Sequence, residues 1–441
     1  MVAWRQGLMG RLTTGWLLAA CACSSGEPLG VGQGPTPGPT PGSTEAVSAP
    51  GEFISSGKER VANPDAPASD LEAVAAGNTD FGAALYRELR EPGKNLFFSP
   101  YSVSQALAMV YAGARGETER QMGQGLRFSL PQDRLHPAMN ALSLALLAPP
   151  GDTGQATPPQ FSGVNATWGQ RGFAFQPEYL DVLAQHYGTG MHVVDFSADP
   201  SGIREDINTW VWEQTQERIQ DLLPSGAVTP LTRLVLVNAL HFKAAWDSPF
   251  MDKGTQNAPF HTLDGATRQV PTMRGGGAWH MKGEGFEALA LDYVGRKFRM
   301  LIVLPDSGRF EEIESRLSAD FLGGIRGALK GREVDVRLPR FEVETPASLI
   351  PKLRELGIRD LFEEHADLSG LSSAESLLIS SVEHKAFVSV NEKGTEAAAA
   401  TAVVAGPPSM PEPFLVDRPF LFLIEHVPTK NVLFLGRYMS P

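Results

Sequence analysis

The residue types that do chemistry are present, but not in working arrangements. Nine histidines are scattered along 441 residues without an H-E-x-x-H pair or a similar spacing, so no metal site is expected. No G-x-S-x-G turn or phosphate-binding glycine loop occurs, which leaves the hydrolase and nucleotide-dependent classes without support. The two cysteines, Cys21 and Cys23, lie together near the N-terminus, so the body of the chain has neither a disulfide nor a cysteine-bound metal. No cofactor is expected, and the protein is not expected to be an enzyme. What remains is the chemistry of a peptide backbone. In "NEKGTEAAAATAVVAGPPSM", Asn391–Met410, eight of twenty residues are alanine or glycine. No proline interrupts it before Pro407, so the amides from Lys393 to Gly406 are free to donate to a β-ladder. Gly394 adds backbone freedom near its start. Alone, the stretch reads as an Ala/Gly surface loop.

Cys21 suggests a modification instead. Arg5 and Arg11 flank the start of a short apolar stretch, Leu12 to Ala20, too short to span a bilayer. At its end, Leu18-Ala19-Ala20-Cys21 resembles a bacterial lipobox, in which the cysteine is lipidated and becomes the new N-terminus. The alternative is ordinary secretion with cleavage after Ala20-Cys21-Ala22. No aspartate follows Cys21, which by analogy with such lipoproteins favours the outer membrane over the inner. Residues 1–23 therefore read as a signal peptide with a lipobox, and the protein as an exported outer-membrane or cell-surface lipoprotein, otherwise secreted. Residues 24–69, with "GPTPGPTPGST", are too rich in Gly, Pro, Ser and Thr to bury a core. They are expected to be a disordered linker spanning roughly 35–40 Å. The formal net charge of −12 argues against nucleic acid as a partner. No apolar run is long enough for a membrane-spanning helix.

The elements that must position any site begin at "SDLEAVAAGNTDFGAALYREL". Ser69 followed by Glu72 predicts a capping box. Leu71, Val74, Ala75, Asn78, Phe81, Leu85 and Leu89 share one helical face, with Asn78 the polar exception. Pro177 opens and Gly188 closes a second helix. Ile203, Ile207, Trp210, Val211 and Leu222 mark a longer one. Apolar runs at Leu234–Val237, Met300–Leu304, Phe420–Ile424 and Val432–Leu435 predict buried strands. Helices dominate the first third and strands the last half, which suggests one α+β domain.

Five stretches in order carry a family resemblance. They are "NLFFSPYSVSQALAMVYAGARGET" (95–118), "VNALHFKAAWDSPF" (237–250), "ADLSGLS" (366–372), "HKAFVSVNEKGTEAAAATA" (384–402) and "DRPFLFLIEHVPTKNVLFLGRY" (417–438). With them, residues 70–441 resemble a serpin domain. The resemblance implies a large central mixed sheet, two smaller sheets, about eight or nine helices and an exposed reactive centre loop. It also implies suicide inhibition. A serine protease cuts the loop, the loop inserts into the central sheet as a new strand, and the acyl-enzyme is trapped. The alternative is a non-inhibitory binding or structural lipoprotein with the same fold.

The family register assigns residues singly. Thr395, Ala397, Ala399, Thr401 and Val403 would face the core after insertion, and Glu396 would face outward. Glu392 and Gly394 belong to the hinge. Arg340 matches the basic partner of Glu392 at the top of the sheet. Ser99, Ser102, Asn238 and His384 match the polar cluster that gates sheet opening, and Trp246 reads as core packing. Family spacing puts the reactive bond at Pro408–Ser409. Proline there is unusual, so a proline-tolerant protease, a bond displaced to Ser409–Met410, or an elastase- or subtilisin-like enzyme cutting in "AVVAG" all stay open. A heparin-type cofactor is not expected, because Leu126 to Leu147 offers only Arg127, Arg134 and His136. A monomer is expected.

Overall fold

The apolar runs of the sequence become the interior strands of two sheets. The computed structural model describes residues 48–149, 158–275, 277–332, 334–373, 377–395 and 413–441. The first sheet has seven strands in the order Glu52–Ile54, Met191–Val194, Gln160–Gln170, Leu234–Ala245, Gly394–Thr395, Ile379–Asn391 and Phe341–Ser348. It is mixed: Leu234–Ala245 runs parallel to Ile379–Asn391 and antiparallel to Gln160–Gln170. The second sheet also has seven strands, but its longest have 8 residues against 13 for Ile379–Asn391. A third sheet has four strands, Pro413–Leu415, Asp335–Pro339, Thr267–Gly275 and Gln256–His261. Nine α-helices stand among the described residues.

The central strand shows why its sequence carries no polar alternation. Leu234 and Leu236 enter the main core, while Val235, Val237 and Ala239 enter a second cluster on the opposite face. There Trp168, Ile207 and Val211 join them, the last two from the helix Pro200–Gln214. A strand buried on both faces has no solvent side to mark with polar residues.

Three expectations need correction. The domain does not begin at Asp70. Residues from Ser48 onward are described, and Glu52–Ile54 forms the edge strand of the first sheet, paired with Met191–Val193. Trp168 Nε1 donates to the Pro50 carbonyl at 3.1 Å, and Arg60 Nε donates to Asn140 Oδ1 at 2.8 Å. An edge strand tolerates proline and glycine nearby, so its composition does not announce it. Residues 24–47 and Cys21 lie outside the described residues.

The capping box does not form either. The helix Ala68–Leu89 starts just before Ser69, its cap is Pro67, and no side chain caps it. Asp70 is instead held by Arg134 Nε at 3.0 Å. Finally, Leu222 is not part of the helix predicted with Ile203, because that helix ends at Gln214. Gln216, Glu217 and Asp221 follow with positive φ, which breaks the helical path without a glycine to signal it.

Other elements follow the sequence. Pro177 starts a helix and Gly188 ends it in the left-handed conformation after a π-turn at Leu183–Tyr187. Asn78, the polar residue on the first helix face, donates to Asn431 Oδ1 at 2.8 Å and to the Val432 carbonyl at 2.9 Å.

Candidate functional site

Leu234–Ala245 and Ile379–Asn391 form a seam in the first sheet. Over Leu234–His241 they pair directly. At the top Gly394–Thr395 stands between them, with Gly394 opposite Ala245 and Asn391, and Thr395 opposite Ala244 and Val390. A two-residue strand therefore already occupies the head of the seam. Gly394 is required by close approach, since a Cβ there would lie 2.0 Å from the Ala244 carbonyl oxygen. Thr395 is buried, and its hydroxyl lies 2.7 Å from the Tyr293 phenol.

The turn before this strand is docked rather than free. The Trp246 amide donates to the Lys393 carbonyl at 3.0 Å, and the Phe250 amide to the Glu392 carbonyl at 2.9 Å. Trp246 is a packing residue, as its position predicts: it is buried and stacks on Tyr293 at 4.5 Å. Its indole N–H also donates to the Asn391 carbonyl at 2.9 Å.

Glu392 and Arg340 form an ion pair beside this turn, with Arg340 Nε donating to Glu392 Oε1 at 2.7 Å. Thr255, which the sequence did not single out, donates its hydroxyl to the same oxygen. Burial opposes ionisation of Glu392, but the Arg340 and Thr255 hydrogen bonds outweigh it and hold the carboxyl below its ordinary value. Its stabilising effect is thus present above the unfolded carboxylate range and fades as pH falls through the lower folded value. Glu392→Gln is expected to cost about 1–3 kcal/mol in urea unfolding at pH 7, because Arg340 loses a charged acceptor. Unchanged stability would show the pair to be inert.

Lower in the seam, the structure brings Ser99, Ser102, Asn238 and His384 together. His384 and Asn238 are cross-strand partners, with His384 Nδ1 2.5 Å from Asn238 Oδ1. The Ser99 amide donates to His384 Nε2 at 3.1 Å, which leaves that nitrogen an acceptor. Ser99 caps the helix Pro100–Tyr111 by accepting from the Ser102 amide at 3.1 Å. Asn165, on the neighbouring strand, completes the cluster and was not foreseen. Ser102 donates to its Oδ1 at 3.0 Å, Asn238 donates there too, and its own amide donates to Gln105 Oε1 at 3.1 Å. Its strand lies in a stretch that gave no strong apolar pattern, so no sequence signal pointed to it.

Burial pushes the His384 imidazole down to about 3, despite the Asn238 contact that favours protonation. The unfolded value is about 6.5, so the folded state binds fewer protons between these values. The resulting stability is complete above pH 6.5 and is lost as pH falls toward the folded value. At pH 5 the loss from this one residue is about 2 kcal/mol. His384→Asn should therefore shrink the stability difference between pH 7 and pH 5 by about that amount. Urea titrations at the two pH values test it, and an unchanged difference would remove His384 as the cause. His136, pushed down to about 3, and His426, to about 4, keep part of the acid sensitivity.

Ala397, Ala399, Thr401 and the bond Pro408–Ser409 fall in Glu396–Glu412, outside the described residues. The chain is described again from Pro413, which opens the short strand Pro413–Leu415 beside Asp335–Arg337. Among the described residues no group of three His, Cys, Asp or Glu could hold a metal ion. No helix among them is long and apolar enough to cross a membrane.

Comparison with known proteins agrees with this geometry. The family pattern described as Serpin (serine protease inhibitor) matches residues 76–441. Leukocyte elastase inhibitor of Bos taurus is 40% identical over 385 residues, covering 84% of this chain and 100% of its own. A serpin-like protein of Thermococcus kodakarensis is 40% identical over 363 residues, covering 81% of this chain and 83% of its own. Among solved structures, uncleaved ovalbumin superposes with a TM-score of 0.75 at 32% identity, covering 84% of this chain and 100% of ovalbumin. The native state of the thermophilic serpin tengpin gives a TM-score of 0.75 at 26% identity, covering 83% of this chain and 94% of its own. With a split seam at the head of a mixed sheet and a family pattern running to its last residue, the chain belongs to the serpin family.

Proposed function

We propose that this protein is a suicide-substrate inhibitor of a serine protease. The observation that carries the reading is Gly394–Thr395, already bonded to both strands of a seam that has only to be unzipped further. The pairing defines where the loop would go. Thr395 opposite Ala244 sums to 639, and Thr395 opposite Val390 sums to 785. A loop residue n would thus meet residue 639 − n on one strand and 785 − n on the other. The two rules differ by 146, the same offset with which Phe387 meets His241 (387 − 241). The seam can therefore accept a strand without sliding its walls past each other.

Three loop residues then have fitting neighbours. Glu396, the single charge, meets Lys243 (639 − 396), an opposite-charge pair across the ladder. Ala397 meets Phe242, so a small side chain falls beside a large one. Thr401 meets Asn238 (639 − 401) and His384 (785 − 401), so its hydroxyl arrives where their mutual hydrogen bond must part.

In the reaction, the protease serine oxygen bonds to the Pro408 carbonyl carbon. The bond to Ser409 breaks, and the Ser409 nitrogen leaves with the proton. Insertion carries the ester-linked protease away before water completes the cycle. The similarity to leukocyte elastase inhibitors supports a protease partner, which the loop sequence suggests is elastase-like, subtilisin-like or proline-tolerant. The test is incubation of the chain from Ser48 onward with such enzymes. An SDS-stable complex and a released peptide starting at Ser409 are expected. Cleavage by every enzyme without a complex would instead favour a non-inhibitory binding protein.

Export and anchoring through Cys21 belong to the same proposal, on the lipobox-like Leu18-Ala19-Ala20-Cys21. Expressed in a lipoprotein-processing bacterium, the full chain should incorporate an alkyne palmitate analogue. Cys21→Ser should abolish labelling and move the protein to the soluble fraction, and labelling that survives would sink the anchor.

A further inference from the structure

The seam has a measurable length. Thr395 lies opposite Ala244, and that strand ends at Leu234, so the seam offers eleven positions (244 − 234 + 1). Thr395 to Ala405 is also eleven residues (405 − 395 + 1). Gly406 then falls opposite Arg233 (639 − 406), and Pro407 opposite Thr232 (639 − 407). Pro407 is the first residue after the hinge without an N–H. The loop therefore loses its capacity for ladder hydrogen bonds where the sheet itself ends.

A cavity of about 570 Å³ lies at that end. Leu231, Thr232 and Arg233 line one side, and Leu378, Ile379 and Ser380 line the other. The first pairing rule assigns Gly406, Pro407 and Pro408 to Arg233, Thr232 and Leu231, all of which line the cavity, and the second assigns Gly406 and Pro407 to Ile379 and Leu378, which line it too. Past the bulge between Ile379 and Ser381 the second strand's partners fall one residue lower, which puts Leu378 beside Gly406. Leu231 is 77% exposed, the most exposed large apolar side chain among the described residues. The base is closed by the Arg233 amide, which donates to Ser380 Oγ at 3.0 Å across the seam. An arriving strand must part that bond.

We propose that this cavity is the seat of Pro407–Pro408 once the loop has been cut, an inference that rests on the insertion proposed above. Two prolines suit it because they need no ladder donors and present apolar rings to Leu231. The seat also selects among the candidate bonds. A cut within "AVVAG" leaves a strand that ends inside the seam and leaves Leu231 uncovered. A cut at Pro408–Ser409, or one bond later, delivers both prolines to the seat. The diproline that narrows the choice of protease is thus the feature that finishes the inserted strand.

Two synthetic peptides test this on the intact protein. One carries the sequence from Glu396 to Gly406, and the other extends it to Pro408. Both are expected to bind and raise the melting temperature, the longer one about tenfold more tightly. Leu231→Asp, at an exposed position, should leave the unliganded melting temperature and the shorter peptide's affinity unchanged while erasing the longer peptide's advantage. Equal binding of the two peptides, or an advantage that survives Leu231→Asp, overturns the seat and leaves insertion standing. Failure of both peptides to bind, with no rise in melting temperature on loop cleavage, removes insertion and the seat together.

Discussion

On the inhibition proposed above, Thr395→Arg is expected to turn the protein from an inhibitor into a substrate. Thr395 is 1% exposed, packed between Ala244 and Val390, and within hydrogen-bond distance of the Tyr293 phenol. An arginine there would place a cation among apolar groups and a phenol that burial keeps neutral. Leaving a charge unpaired in such a site costs about 3–5 kcal/mol. If that penalty falls on the first step of insertion, the step slows by roughly two to four orders of magnitude. The ester then hydrolyses before the protease is displaced. With the cognate protease, SDS-stable complex should fall at least about tenfold. The rate of loop cleavage should stay within about twofold, since the bond that is cut is remote from the hinge. Thr395→Val should lose only the Tyr293 contact, about 1 kcal/mol, and still trap the enzyme. Normal complex formation by Thr395→Arg would show that the head of the seam plays no part in inhibition.

Cutting the loop should make the protein markedly more heat-stable. Ten further residues joining the seam, Glu396 to Ala405, add about a dozen backbone hydrogen bonds, roughly 6–18 kcal/mol before ordering costs. A chain of this size gains about one degree per 0.8 kcal/mol. The melting temperature is therefore expected to rise by about 7–20 °C on cleavage. Calorimetry on intact and cleaved protein measures it. A rise under about 2 °C would mean that the cut loop stays outside the sheet.

Much of this could be read from the chain, for definite reasons. Runs such as Leu234-Val235-Leu236-Val237 and Phe420–Ile424 are strands because both their faces are buried, and uninterrupted apolar residues report that condition directly. Arg340 and Glu392, 52 residues apart, could be paired only through the family resemblance, since no local spacing brings them together. Asn165 and Thr255 were missed because a polar residue that completes a hydrogen-bond cluster looks like any other polar residue until its neighbours are placed. Ser69 misled because the capping pattern was present while Arg134, 64 residues away, claimed the first-turn carboxylate of Asp70. The edge strand Glu52–Ile54 was hidden by composition: three residues cannot outweigh the Gly- and Pro-rich segment around them.

That edge strand has a mechanical consequence. Tension on the chain ahead of Ser48 reaches the domain through Glu52–Ile54, whose three residue pairs with Met191–Val193 are loaded along the strand axis. The load then passes sideways to Gln160–Gln170 and to Leu234–Ala245. Ile379–Asn391, the strand that leads to the reactive loop, stands on the far side of the seam. A molecule held by its N-terminal end thus takes up traction first at the Glu52–Ile54 edge, three strands away from the Leu234–Ala245 side of the seam. On the anchoring and insertion proposed above, drag on the tether would enter at the edge of the sheet and the loop at its central seam.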